Sequence, residues 1–591
     1  MKVVMFGNQW VGFDHYETWV NVYKDPVTDH GKISKKGRLT LEQDAEGHYF
    51  TTTEGRGDPA KDLLVTVFEN GELLKEYTFE EIRSRAEVPL CRSRMQKSVL
   101  VAETSEKYCA TALTTKTIEE ELVDARRKQL AAEQRLTQHR QYPPGTETVY
   151  SYFESRGGKF PEVVFFGLQY IIKRWLVGQV VTKEKIEEAK AFSDAHLGPG
   201  LFNYAGWMHI LEKHGGRLPI RIKAVPEGAV IPYKNVLVTV ENTDPKCYWL
   251  TNYLETLLVQ LWYPCTVATN SRAQKIVIAE YLIETTGSLN GLPSKLRDFG
   301  CRGSTSIESA ALGGAAHLVN FNGTATIAGV VLARDYYGCE MAAFAIPAAE
   351  HSTITSWTKE READAYKNML TTFRDGTVAC VSDSYDILHA CESIWGSQLK
   401  EMVEDRGARG VGPLVIRPDS GDPATIVVQV LDVLGSKFGY ETNSKGFKVL
   451  PPYIRILQGD GVNYESLKDI LSNAKNHGWS ADNISFGSGG GLLQKVDRDT
   501  LKFAFKCSYA IVNGQPVNVY KDPVTDHGKI SKKGRLTLEQ DAEGHYLTTT
   551  EGRGDAAKDL LVTVFENGEL LKEYTFEEIR SRAEVPLCRS E

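Results

Sequence analysis

The sequence has 10 cysteines but no C-x-x-C pair, and no Cys/His run with the spacing of a zinc module. At 591 residues it buries a core without covalent staples, so the cysteines read as scattered reduced thiols. It lacks any run of roughly 18 apolar residues, the length a membrane-spanning helix needs. The apolar patch at residues 3–6 is too short for a secretory segment. A cytoplasmic protein is therefore expected. Basic charge is not in excess either: 69 Lys+Arg stand against 77 Asp+Glu, a net charge of -8. Nucleic acid and anionic membrane are thus not expected as partners. With 42% hydrophobic and 25% charged residues, the chain as a whole is not disordered. Also absent are G-x-S-x-G, H-E-x-x-H, the nucleoside-triphosphatase P-loop and G-x-G-x-x-G, so none of these motifs carries chemistry here.

What is present begins with a duplication. Residues 20–93 recur as 517–590 with two differences, Phe50 against Leu547 and Pro59 against Ala556. One long copy at each end is not a solenoid. Two readings stay open, a recent duplication or misjoined gene, and two functional terminal lobes. In the second copy 560–566 and 570–574 read as strands around the turn Glu566-Asn567-Gly568-Glu569. Thr575 and Glu578 then form a capping box for a short helix. Residues 94–141 read as a linker. Its helical part has Ile118, Leu122, Ala125 and Leu136 on one face and starts at a Thr117/Glu120 capping box.

Between 377 and 491 one pattern repeats four times. An apolar or β-branched run ends in an acidic or glycine-rich loop, and an amphipathic helix usually follows. The runs are 378–381, 414–416, 453–457 and 484–486; the helices are expected at 385–404, 424–437 and 464–477. Alternation of this kind implies a parallel sheet with its chemistry at the carboxyl ends of the strands. Those ends carry Asp383, Asp419 and Asp460, which could hold Mg²⁺ or sugar hydroxyls, or simply cap helices. The last loop, Gly487-Ser488-Gly489-Gly490-Gly491, reads as a backbone nest for phosphate or as a flexible turn. Arg498, Lys506 and Lys521 follow it and favour the phosphate. His351, beside Glu350, is the best-placed histidine, as a cap or core residue or as a phosphate-binding or phosphorylated one.

From about Tyr142 onward the chain resembles the nicotinamide phosphoribosyltransferase family. The likeness is carried by Tyr142-Pro143-Pro144, Tyr248-Trp249-Leu250-Thr251-Asn252, Ala268-Thr269-Asn270-Ser271-Arg272, Arg417-Pro418-Asp419-Ser420-Gly421 and the loop around Gly489. The resemblance implies an α/β fold: a barrel-like phosphoribosyltransferase domain at 271–496, and a mixed α+β lobe from 142–270 and 497–591. Residues 1–93 are then an extra segment. It also implies a homodimer with active sites at its interface. The implied reaction joins nicotinamide to phosphoribosyl pyrophosphate, with Mg²⁺ and with ATP hydrolysis coupled through a phosphohistidine. By motif, His351 matches that histidine, and Arg417 and Asp419 hold ribose and ring. Gly459 and Asp460 contact ribose, and Gly489 and Gly490 form the 5′-phosphate nest. Phe299 is one face of the nicotinamide sandwich. Arg302, Arg498 and Lys506 contact phosphate or pyrophosphate, with Arg156, Lys521 and Lys529 reaching the same region. The metal ligands stay unassigned.

This sequence departs from the family pattern in three places. Gln134 stands where the family has a tyrosine that stacks on nicotinamide across the dimer, with Ala132 in place of an aspartate beside it. Ala325 stands where an acid accepts the nicotinamide amide. Residues before about 127 have no family counterpart there. A nicotinate-using or relaxed-specificity enzyme, and a catalytically impaired dimeric binding protein, are accordingly the alternatives to the nicotinamide enzyme of NAD salvage.

Overall fold

Along Ile220–Ala224 the side chains alternate between buried and half-buried, as in a strand with one face on a core. In the computed structural model of the chain the described residues are 133–585, preceded by the short segments 3–6, 9–12, 40–43, 49–52, 68–69 and 72–73. The linker capping box at Thr117 and the helical face through Ala125 lie outside them. Contacts divide the chain into two units, Met1–Ala125 and Arg126–Glu591.

In the first unit Thr40–Gln43 pairs with Tyr49–Thr52, and Phe68–Glu69 with Glu72–Leu73. The same hairpins recur in the second copy, as Thr537–Gln540 with Tyr546–Thr549 and as the Phe565/Leu570 and Glu566/Glu569 pairs. Identical local sequence closes identical turns.

Thirteen strands build the two main sheets of the second unit. In chain order they are β1 (Thr146–Ser155), β2 (Ile220–Ala224), β3 (Val236–Asn242), β4 (Leu296–Asp298), β5 (Gly323–Thr324), β6 (Val378–Val381), β7 (Leu414–Arg417), β8 (Ile454–Gln458), β9 (Ile484–Ser488), β10 (Phe503–Val512), β11 (Gln515–Asn518), β12 (Val562–Glu566) and β13 (Glu569–Leu570). The helices that matter below are α1 (Glu133–Thr137), α2 (Tyr204–His214), α3 (Trp262–Thr286), α4 (Ile307–Leu318), α5 (His351–Thr355), α6 (Pro423–Phe438), α7 (Tyr464–Asn476), α8 (Gly490–Leu493) and α9 (Phe576–Ala583).

The lobe sheet is antiparallel, in the order β11-β10-β1-β3-β2-β12-β13, so both ends of the unit supply it. The second sheet is parallel, in the order β5-β4-β9-β8-β7-β6. Its strands are buried along nearly their whole length, as expected of strands covered on both faces. Helix α3 joins the two cores: Val267 and Ala268 pack in the lobe, Val277, Ile278 and Leu282 under the parallel sheet.

The expected helices at 424–437 and 464–477 are α6 and α7. Asp422 caps the first ahead of Pro423, and an Asn463/Ser466 capping box opens the second. The helix expected at 385–404 differs. It runs as Ile387–His389, a wider π-helical stretch Ala390–Gln398 and Lys400–Ala408, which apolar periodicity alone does not foreshadow. The Thr575/Glu578 capping box opens α9 as expected. No helix of the described residues is long and apolar enough to cross a membrane.

Candidate active site

Parallel pairing points the carboxyl ends of six strands to one side, and most residues singled out from the sequence lie there. Asp383 and Asp419 follow the neighbouring strands β6 and β7, and Asp460 follows β8. His351, the first residue of α5, sets its Nε2 3.0 Å from Asp383 Oδ1 and its Nδ1 4.0 Å from Asp419 Oδ2. The hydrogen bond to Asp383 raises the imidazole above its usual range, against burial, and the Asp383 and Asp419 charges add to it. Burial would lift Asp383, but hydrogen bonds from His351 and Ser420, with the His351 charge and the Asp419 backbone N–H, outweigh it and hold the carboxyl low.

Asp419 behaves oppositely. Burial raises its carboxyl and the charges of Asp383 and Asp460 raise it further, while Arg417 and His351 only partly offset them. The Arg417 guanidinium lies 3.7 Å from Asp419, and its buried Nε has no hydrogen-bond partner among the described residues. A buried N–H without a partner is costly, and an acceptor on a bound ligand would satisfy this donor.

Phe299 follows β4. Its N–H bonds Ser488 O at 2.9 Å, and the turn behind it is pinned by Asp298, whose buried carboxylate accepts from Gly300 N at 2.7 Å and Thr324 Oγ1 at 3.2 Å. A Cβ on Gly487 would lie 2.1 Å from the Phe299 ring, and one on Gly459 would lie 3.0 Å from Asp419 Oδ1 and 3.5 Å from that ring. Gly487 therefore belongs to strand β9 and seats an aromatic ring. The expected nest shortens to Gly489-Gly490-Gly491, where no heavy atom stands within 4 Å of a Cβ on Gly490. Arg302 sits in the turn Cys301–Gly303, and its charge helps hold Glu350 low after the stronger effect of Ser352. A Cβ on Gly303, in the same turn, would lie 3.8 Å from Gly490 Cα.

The remaining cations belong to the lobe. Burial lowers the Lys506 ammonium; Glu255 opposes this, and Arg156, Lys521 and Arg498 push it down further. Arg156 pairs with Glu154 at 3.0 Å and keeps a buried Nη2 with no partner among the described residues. Clustered cations with open donors suit a polyanion. Arg135 on α1, next to Gln134, pairs with Glu255 at 2.7 Å. Lys529 is exposed and pairs with Asp526 at 3.2 Å, apart from the interactions that shift Lys506. Ala325 is exposed at the end of β5, its N–H bonding Asp298 O at 2.8 Å. Sequence reading missed Asp298 and Gly487. The run Asp298-Phe299-Gly300 carried a signal for the first, but only the packed ring reveals the second.

Two family models match the chain: the nicotinate phosphoribosyltransferase (NAPRTase) family over residues 294–569, and the N-terminal domain of nicotinamide phosphoribosyltransferase over 130–222. The chain is 53% identical over 456 residues to a nicotinamide phosphoribosyltransferase of Xanthomonas campestris pv. campestris, covering 75% of this chain and 95% of that protein. It is 32% identical over 479 residues to one from Acinetobacter baylyi, covering 75% and 94%. Among solved structures it is similar to nicotinate-nucleotide pyrophosphorylase from Pyrococcus furiosus, with 15% identity, coverage of 78% and 95%, and a TM-score of 0.49.

Proposed function

The chain belongs to the nicotinamide phosphoribosyltransferase family, and we propose that it transfers the phosphoribosyl group of phosphoribosyl pyrophosphate to nicotinamide. The products are nicotinamide mononucleotide and pyrophosphate, a step of NAD salvage. The observation that carries this reading is the meeting of the Phe299 ring, Gly459 and the Arg417–Asp419 pair at the ends of β4, β7 and β8. The ring offers a stacking face for a pyridine, and the carboxylate faces a sugar that turns cationic.

In the reaction the C1–O bond to pyrophosphate breaks and the ring nitrogen of nicotinamide supplies the electron pair of the new C1–N bond. The attacking nitrogen carries no proton, so stacking and orientation replace a general base. The leaving group departs with its electron pair, which the cations of the site meet. Asp419 stabilises the oxocarbenium-like sugar, and Gly489 and Gly490 hold the 5′-phosphate. Asp383, Asp419 and Asp460 are the residues that would hold Mg²⁺. The fit is supported by the crowding of these carboxylates, which raises Asp419 after burial does. When bound, the ion offsets the charge of the diphosphate.

His351 is read as the residue that accepts a phosphoryl group from ATP. Asp383 fixes its Nε2, leaving Nδ1 as the nucleophile. His351→Ala should keep glycosyl transfer while losing the gain in yield that ATP gives. Product formed with and without ATP checks this, and full stimulation of the variant removes the role from His351.

A cytoplasmic homodimer is part of the proposal. Ile307, Ile327 and Phe344 stand exposed around the ends of β4 and β5, an apolar rim that a second copy of the chain would cover.

Ala325 favours a second reading, in which nicotinate competes. With alanine at the end of β5, no carboxylate there accepts an amide N–H or repels a substrate carboxylate. Both pyridines offered together to the purified protein, with products separated by chromatography, test the two readings. Ala325→Asp should shift the product ratio toward nicotinamide mononucleotide by about 10-fold or more, the scale of one lost charge-assisted hydrogen bond. An unchanged ratio contradicts this account of specificity.

A further inference from the structure

Away from the strand ends, four side chains of three metal-binding kinds converge in the lobe. His209 and His214 lie on α2, with His214 its last residue. Asp244 caps the 3₁₀ turn Pro245–Cys247 that follows β3, and Cys247 closes that turn, its N–H bonding Asp244 O at 2.9 Å. The turn folds the chain back on its own cap, which brings the Cys247 thiol within 4.8 Å of the Asp244 carboxylate. The Nε2 atoms of both histidines lie 2.7 Å from the same oxygen, Asp244 Oδ2, and the two rings are 5.8 Å apart. The donor atoms of all four residues lie within 4.8 Å of one another.

We propose that His209, His214, Asp244 and Cys247 form a binding site for Zn²⁺. Two imidazoles, a thiolate and a carboxylate suit a borderline-soft ion and not Mg²⁺. Four protein donors fill a tetrahedron, so the site is structural, a clip between α2 and the chain leaving β3. Tetrahedral donors around Zn²⁺ stand about 3.3–3.7 Å apart, given bonds of about 2.0–2.3 Å. The two histidines, now 2.7 Å from Asp244 Oδ2, would move back by less than about 1 Å, and donors as far apart as 4.8 Å would draw together by roughly the same amount. Three further features suit an ion. The Asp244 carboxylate is held in orientation by Lys246 N, 2.8 Å from Oδ1. His214 ends its helix, where the backbone dipole favours a cation. His209, His214 and Asp244 are only half-buried, which gives the ion a way in, while Cys247 is fully covered. On binding, the thiol proton passes to solvent and each imidazole proton moves from Nε2 to Nδ1, which frees the Nε2 lone pairs for the ion.

The test uses the untagged full chain, dialysed against buffer that contains Mg²⁺ but is free of zinc and other transition metals. Elemental analysis should find one Zn²⁺ per protomer. Replacement by Co²⁺ should give the near-ultraviolet band of a thiolate-to-cobalt transition. Cys247→Ser should abolish the band, and His209→Asn should lower zinc affinity by more than the roughly 10–100-fold typical of losing an outer partner. His214→Gln, at a more exposed position, serves as a second variant if either fails to fold. Absence of both zinc and the cobalt band in the wild-type protein overturns the proposal. So does zinc retained at full occupancy in the folded variants. Loss of zinc only in His545→Ala, which disrupts the exposed Asp541, Glu543 and His545 group, also overturns it.

Discussion

Alanine in place of Asp419 should lower kcat/KM for nicotinamide mononucleotide formation by about 10³-fold or more, the scale of losing one group that stabilises transition-state charge. The melting temperature should not fall. Asp419 is already an expensive carboxylate, raised by burial and by the Asp383 and Asp460 charges, so its removal relieves repulsion. Of its neighbours, His351 keeps its 3.0 Å bond to Asp383, and Arg417 loses the carboxylate 3.7 Å away, which offsets part of that gain. Asp419→Asn separates charge from shape. The amide fills the same space beside Gly459 but cannot face a cationic sugar, and the loss should match that of alanine within about 10-fold. Wild-type turnover in either variant, measured alongside a thermal melt, would remove Asp419 from the chemistry.

The two copies of the duplicated segment should differ sharply on deletion. Removing 517–590 takes away β12, which pairs with β2, and α9, whose Arg580 donates to Leu318 O, Phe321 O and Ala342 O at 2.6–3.2 Å. It also removes Glu584, paired with Lys275 at 2.8 Å, and Lys521 from the lobe cations. An opened sheet edge and a lost helix cost far more than the about 5–15 kcal/mol that holds a domain together. The expected product is insoluble or unfolded protein with no transfer. Removing 1–93 touches a separate unit and should leave kcat/KM within about 3-fold of the full chain, the ordinary spread of peripheral changes. Lys521 and Lys529, not their duplicates Lys24 and Lys32, then serve the site. Expression, melting and turnover of the two truncations decide this, and activity surviving only the carboxyl-terminal loss would mean the copies have exchanged roles.

Much of the parallel sheet was legible because each unit carries its own local signals. Apolar runs, acidic or glycine loops and capped helices recur in phase, and β6 to β9 with α6 and α7 fall where those signals put them. The wide turn at Ala390–Gln398 was not legible, because residue period does not distinguish a π-helical stretch from an α-helical one. Three readings of the site depended on distance through space. Gly487 looks like part of a phosphate nest until the Phe299 ring is seen against it. Lys529 reads as a partner of Lys521, and only the structure adds its exposed pairing with Asp526. The four metal-binding side chains escape any spacing rule, since His209 and His214 are brought to Asp244 and Cys247 by the meeting of a helix end with a 3₁₀ turn.

The central claim is the joining of nicotinamide to the phosphoribosyl group at the ends of β4, β7, β8 and β9. Its most direct measurement is a product balance on the purified full chain supplied with phosphoribosyl pyrophosphate, Mg²⁺ and nicotinamide. Nicotinamide mononucleotide and pyrophosphate should appear in equal amounts, each lost when either substrate is withheld. Pyrophosphate released without the nucleotide, or no reaction of either substrate, would contradict the account.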